Sequence, residues 1–321
     1  MEMMAETDLR SIDLRALETA FGSRLQKHVP LARYSAARLG GPADALLEAR
    51  SSQELVQITS LCWQNRIPFF ILGGGSNVLI SEAGVRGLVV LNKARQVRFD
   101  EQASPPTVWA ESGMNFGVLA RQAAQRGLTG LEWAAGIPGT VGGAVVGNAG
   151  AHGGDMAGNL LLAEILHRTK TNHGEAYQQQ TWTPERLEFT YRNSFLKRQP
   201  DEAVVLAALL RLDHSSVEEV QKRLDENIAH RRRTQPPGAS MGSMFKNPTG
   251  DYAGRLIEAA GLKGYRIGDA QISPLHANFF INLGQARSQD VYDLIQLAHQ
   301  TVSEKFSVNL ELEVELVGEW Q

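Results

Sequence analysis

The sequence predicts an α+β fold. Three observations carry that expectation. Apolar strand-like runs alternate with amphipathic helical stretches, the glycine-rich segments lack the pattern of a dinucleotide-binding βαβ unit, and the C-terminal region reads helix, strand, helix, strand. At 321 residues the chain exceeds what one core ordinarily supports, so two or three domains are expected.

Taken in order, Ser51 or Ser52 caps a helix over 51–66 with Leu55, Ile58 and Cys62 on one face. "PFFIL" (68–72) reads as a buried strand and "GLVVLN" (87–92) as another, so the glycines at 73–75 close a strand. "TVWAES" (107–112) is a strand, followed by a helix over 115–127 that ends on Gly127. Strands at 161–167 and 203–212 and a charged amphipathic helix at 216–232 follow. "TQPPGAS" is then a Pro/Gly/Ser break suited to a loop near a domain boundary. Beyond it the pattern gives a helix at 252–261, a strand at 278–283, a helix at 289–306 and a strand at 308–317.

Composition narrows the function classes. A net charge of -3 gives no general attraction to nucleic acid or anionic membrane, so an anionic ligand must be met by local arginines, lysines and amides. Cys62 is the one cysteine, which excludes an internal disulfide. The longest strongly apolar run, "AVVLAALLRL" (203–212), is far too short to span a bilayer. The opening "MEMMAETDLR" is acidic and has no apolar core segment, so a signal peptide is not expected and a cytoplasmic location is. The eight histidines show no metal-ligand spacing, so no metal is expected.

Two glycine-rich stretches need a physical reason. In "ILGGGSNVLI" (71–80), Gly73 and Gly75 begin a G-x-G-x-x-G pattern, but Val78 stands at the third position and no helix pattern follows. No G-K-[ST] occurs, so a P-loop is also excluded. "GIPGTVGGAVVGNAGAHGGD" (136–155) has little helix propensity and too much glycine for an ordinary strand. Either the glycines only let backbones pack closely, or both segments hold one long ligand with a pyrophosphate at its middle.

These segments carry a resemblance. "RLGGPADALLEARS" (38–51), the two glycine stretches, "FTYRNSFLK" (189–197), "GSMFKNP" (242–248), "AGRLIEAAGLKGYRIGDAQIS" (253–273), "HANFFIN" (276–282) and "LELEVELVG" (310–318) resemble the UDP-N-acetylenolpyruvoylglucosamine reductase family, in order, over roughly residues 30 to 318. The resemblance implies a vanillyl-alcohol-oxidase/p-cresol-methylhydroxylase-type FAD-binding fold with a C-terminal α+β substrate domain. It divides the chain at 1–99 and 100–214 for two FAD-binding subdomains and 215–321 for the substrate domain, with roughly the first 25 residues a helical or mobile extension. It implies that Gly73, Gly74, Gly75, Ser76, Asn77, Pro138, Gly139, Gly142, Gly143, Asn148, Gly150 and Ala151 contact FAD. No histidine lies between His28 and His152, so non-covalent flavin is expected.

The implied reaction has NADPH reduce the flavin. The enolpyruvyl ether of UDP-N-acetylglucosamine then takes hydride from flavin N5 at its terminal carbon and a proton at the adjacent carbon. Charge that builds on the substrate carboxylate calls for a cation there and an acid for the carbon. The family motifs assign the proton to Ser243, the carboxylate to Arg192 and stabilisation of the intermediate to Glu313. Tyr191, Lys246 and Asn247 are implied substrate contacts, Lys246 and Asn247 at the UDP diphosphate. By residue pattern alone, Glu311, Glu313 and Glu315 share one face of a solvated strand, and nothing separates them.

Two details stand apart. Many relatives carry arginine where this chain has Glu315, which leaves open the cation that balances the substrate carboxylate. Arg231, Arg232 and Arg233 could add charge or simply end a solvated helix, and His152 could neighbour the substrate or only fill space. Only 50 residues separate Arg192 from Ser243, which favours the family's compact subtype without an extra tyrosine loop. A monomer is expected. The rival readings are an oxidase of the same fold with another substrate, and a non-catalytic UDP-sugar sensor.

Overall fold

Ser51 accepts a hydrogen bond from the Glu54 amide at 3.2 Å and so closes the first turn of the helix Ser52–Gln64. Leu55, Ile58 and Cys62 are buried on its inner face, as the periodicity predicts. The coordinates are a computed structural model that describes residues 12–171 and 174–320; the acidic opening stretch, 1–11, falls outside that range.

The helix crosses over a four-stranded sheet. Its spatial order is Gln26–Pro30, Pro42–Ala49, Val85–Asn92, Phe69–Leu72, with the last two pairings parallel. Phe69–Leu72 is thus an edge strand, which explains a departure from expectation: Phe69, Phe70 and Ile71 are only partly covered and Leu72 alone is buried. A second sheet, antiparallel throughout, runs Gly174–Trp182, Leu160–Thr171, Ala203–Arg211, Thr107–Glu111, Val97–Asp100. Leu166, Val204 and Leu206 from this sheet share a core with Leu55, Ile58, Leu88 and Val90, so the two sheets are locked together.

The glycine-rich stretch after residue 136 is not irregular. Val141–Gly147 is helical, with Thr140 Oγ1 accepting from the Gly143 amide at 3.4 Å. This corrects the reading of low helix propensity. Val141, Ala144 and Val145 are buried in the core of the second sheet, and packing of that face outweighs the cost of three glycines. Gly142 is required for that docking, because a Cβ there would stand 2.8 Å from Ser112 Cβ and 3.0 Å from Ser112 O.

The helix Val217–Thr234 packs back onto Phe116–Ala124 through Val220 and Leu224, against Ala124 and Ala135. A third sheet follows, in the order Ala239–Ser243, Phe279–Asn282, Ala270–Ile272, Arg266–Ile267, covered by the helix Ser288–Phe306. Glu82, from the first sheet's end of the molecule, accepts from the Ser288 and Gln289 amides and caps this helix from across the chain.

The last strand is shorter than expected. Only Glu315–Val317 forms a ladder, parallel to Val78–Ile80, while 308–314 has a single bridge between Phe245 and Leu312. The alternating pattern is present, but its neighbours supply hydrogen bonds at few positions. Among the described residues, no helix is long and apolar enough to cross a membrane.

Candidate active site

The two glycine segments meet. A Cβ on Gly73 would lie 2.6 Å from Thr140 Oγ1, and one on Gly74 would lie 2.9 Å from Gly139 Cα. Ser76 Oγ donates to Pro138 O at 3.1 Å, and Gly75 and Gly139 adopt φ of 60° and 126°. The result is a continuous floor of bare backbone, with Gly143 exposed beside it. A floor that side chains would fill, lined by amide donors, fits the pyrophosphate of FAD.

Asn77 ties this floor to the C-terminal segment. Its Nδ2 donates to Glu313 O at 3.0 Å, and its carbonyl accepts from the Glu315 amide at 3.0 Å. Asn148, buried and left-handed at φ 43°, donates to Thr190 O at 3.0 Å and accepts from the Ala157 amide at 3.1 Å. That bond places the turn bearing Tyr191 and Arg192. Arg192 is itself left-handed at φ 54° and donates through Nη2 to Gly150 O at 2.7 Å. A non-glycine residue held in that region costs about 1–3 kcal/mol, which the surrounding bonds must over-determine. Ala151 pairs with Gly154 in a two-residue bridge beside it.

Arg192 Nε lies 2.9 Å from Glu313 Oε1, with side-chain exposures of 24% and 17%. The N–H is turned off that line, so the contact is an ion pair, and the buried Nε has no well-aligned acceptor among the described residues. Burial pushes the Glu313 carboxyl above its ordinary pKa, against Arg192, Lys197 and Lys246, which pull it down. Glu315 is reachable by solvent, yet enough protein surrounds it that its carboxyl is raised too, with Lys197 opposing.

The three glutamates are therefore not equivalent. Glu311 is 75% exposed and pairs with Lys246 at 3.0 Å; Glu313 is largely covered and pairs with Arg192. The expectation of one solvated face is corrected here: Arg192, distant in sequence, selects Glu313.

Ser243 ends the strand Ala239–Ser243, opposite Phe279 and after a bulge that begins at Ser240. The next residue, Met244, accepts the Glu313 amide at 2.9 Å, so the segments bearing Ser243 and Glu313 run side by side. Asn247 is exposed and its Oδ1 accepts the Ala253 amide at 3.1 Å, which ties it to the start of Ala253–Ala259. Tyr191 is 55% exposed, with the Arg192 guanidinium 5.6 Å from its ring centroid.

Two groups gain meaning only in three dimensions. Arg231 turns inward, its stem over Gly136, and burial and then Arg192 lower its pKa, whereas Arg232 and Arg233 stay exposed. His152 packs edge-on against His230 at 5.4 Å; burial, then Arg231 and His230, lower its pKa. Lys197, which no sequence signal singled out, reaches to 3.4 Å from Glu313 O. A lysine after two apolar residues reads as a surface residue until the fold brings the last segment to it. Among the described residues, no cluster of three or more potential metal ligands occurs.

Comparison with known proteins agrees with this layout. Residues 43–167 match the sequence profile described as FAD binding domain. Residues 234–317 match that of the UDP-N-acetylenolpyruvoylglucosamine reductase, C-terminal domain. The chain is 41% identical over 296 residues to the UDP-N-acetylenolpyruvoylglucosamine reductase of Chloroflexus aggregans, covering 91% of this chain and 97% of that protein. It is 45% identical over 290 residues to the protein of that name from Rubrobacter xylanophilus, covering 90% and 94%. The crystal structure of the Thermus caldophilus reductase superposes with a TM-score of 0.75 at 36% identity, covering 92% of this chain and 99% of that one.

Proposed function

The chain belongs to the UDP-N-acetylenolpyruvoylglucosamine reductase family, with its FAD-binding fold of the vanillyl-alcohol-oxidase type, and we propose that it reduces UDP-N-acetylglucosamine enolpyruvate to UDP-N-acetylmuramate with NADPH. In this reading it is a cytoplasmic monomer of peptidoglycan precursor synthesis. The observation that supports it best is the Arg192–Glu313 pair, held between the glycine floor and the Ser243 segment.

FAD, when bound across Gly73–Asn77 and the Pro138–Ala151 stretch, supplies the hydride. The chain's own residues do the rest. Arg192 receives the substrate carboxylate: its guanidinium is partly buried and paired with Glu313, so a fixed positive charge waits beside the bare floor. Glu313 holds the guanidinium in place and helps to stabilise the intermediate. Ser243 donates a proton from Oγ to the carbon beside that carboxylate, a task open to a weak acid when the acceptor is strongly basic and the donor is fixed by a strand. Lys246, Asn247 and Tyr191 meet the nucleotide, in a substrate domain at 215–321 set against the flavin-binding parts at 1–99 and 100–214.

Ser243→Ala tests the assignment. The purified protein shows a flavin spectrum that NADPH bleaches in wild type and variant alike, while reoxidation by the enolpyruvyl sugar nucleotide is lost only in the variant. Reoxidation at the wild-type rate removes Ser243 from the mechanism, and a colourless protein that cannot be reconstituted with FAD removes the reductase reading.

A further inference from the structure

Lys197 sits in the short helix Phe195–Arg198, fixed by the buried Ser194 at its cap. Ser194 Oγ donates to Val146 O at 2.7 Å and accepts from the Lys197 amide at 3.3 Å, so the helix is pinned to the glycine-rich segment. The lysine stem is half-buried. Its ammonium has one hydrogen bond among the described residues, the long one of 3.4 Å to Glu313 O. Ion pairs within 4.0 Å join Arg192 to Glu313 and Lys246 to Glu311, and none among the described residues engages Lys197.

An ammonium carries three donors, and two of these have no acceptor among the described residues. Burial, Lys246 and Arg192 work against its charge, while Glu315 and Glu313 support it. A partly desolvated cation with a single long hydrogen bond is costly to keep unless an anion arrives. Position identifies which anion. Lys246 already has a carboxylate partner, whereas Lys197 rests on the backbone of Glu313, whose side chain meets Arg192. Both cations meet Glu313, Lys197 at its carbonyl and Arg192 at its carboxylate, so a small carboxylate bound there would answer two positive charges at once.

We propose that Lys197 is the second cation of the substrate site, binding the carboxylate of the enolpyruvyl group together with Arg192. The inference rests on the reductase reading and adds the residue that completes carboxylate recognition.

The test compares two nucleotides that differ in that carboxylate. Oxidised holoenzyme is titrated with the enolpyruvyl sugar nucleotide and with UDP-N-acetylglucosamine, followed by perturbation of the flavin absorbance. In Lys197→Met, affinity for the enolpyruvyl nucleotide should fall about 10- to 100-fold, the worth of a hydrogen bond to a charged group, and that for UDP-N-acetylglucosamine by less than about threefold. Lys197→Arg should keep the discrimination. If methionine at this position prevents folding, Lys197→Gln carries the same comparison. Equal weakening of both nucleotides would place Lys197 at the diphosphate and overturn the inference, as would no change in either. A wild-type protein whose reduced flavin is not reoxidised by the enolpyruvyl nucleotide overturns the reductase reading along with it. Normal reoxidation with an indifferent Lys197→Met overturns this inference alone.

Discussion

Gly143→Ala is expected to move two measurements in opposite directions. The residue lies in the first turn of Val141–Gly147, and a Cβ there would meet only Thr140 Oγ1, at an ordinary 3.6 Å. Alanine lowers the conformational entropy lost on forming the helix, so the flavin-free protein should gain about 0.5–1 kcal/mol. That corresponds to a rise in melting temperature of about 2 °C for a chain of this size. The same methyl would stand beside the bare floor proposed to hold the FAD pyrophosphate. Crowding there should cost about 1–3 kcal/mol in the complex, or about 5- to 150-fold in FAD affinity.

Two controls sit in the same helix. A methyl added at Gly147 would have nothing within 4 Å, so Gly147→Ala should stabilise to a similar degree and leave FAD affinity unchanged. At Gly142 a Cβ would meet Ser112 Cβ at 2.8 Å, and the overpacking cost of about 1–3 kcal/mol should cancel or exceed the propensity gain. Differential scanning calorimetry of flavin-free protein and fluorescence titration with FAD read the two quantities separately. Wild-type FAD affinity in Gly143→Ala would refute the placement of the cofactor over this turn.

Other consequences follow from the same geometry. Glu82→Gln weakens a charged cap on the helix Ser288–Phe306 and should destabilise the protein by about 1–2 kcal/mol, seen as faster amide exchange at Ser288 and Gln289. Glu315 has a raised pKa in the folded protein, so its penalty on stability is absent below the ordinary glutamate range and grows as pH rises through the folded value. Glu315→Gln should therefore stabilise the protein at neutral pH by a few tenths of a kcal/mol after solvent screening, read as a higher melting temperature, with the gain vanishing in acid. Glu132 has the opposite signature. Burial alone would raise its carboxyl, but hydrogen bonds from Thr129, the Gly130 amide and Arg223 hold it below the ordinary value. Its contribution is present above the unfolded pKa and is lost as pH falls through the folded one, so Glu132→Gln should cost about 1–3 kcal/mol at neutral pH and progressively less in acid.

Much of the fold was legible because it closes locally. Ser51, Asn115 and Ser216 each cap a helix whose amide donor lies three residues away, so a short window of sequence contains both partners. The apolar runs at 87–92 and 203–212 and the long helices near 216 and 289 were fixed in the same way, by period and composition. The two glycine loops were visible as places where backbone had to lie bare, although the sequence did not reveal that Gly73 and Gly74 would pack on Thr140 and Gly139.

What required the tertiary structure were the choices among locally equivalent residues. The helix at 141–147 forms against its glycine content because its apolar face is buried on a distant sheet. Residues 308–314 alternate like a strand but stay largely unpaired, since the strand at their end joins Val78–Ile80 rather than extending a longer ladder. Glu311, Glu313 and Glu315 are indistinguishable by spacing; Arg192, Lys197 and Lys246 separate them by charge. Lys197 itself gave no signal, because what it meets is the backbone of Glu313. Sequence determined which segments form helices, strands and bare loops, since those preferences act within a few residues. Tertiary structure decided which carboxylate and which cations meet, because burial and Coulombic contact depend on where residues more than a hundred positions apart come together.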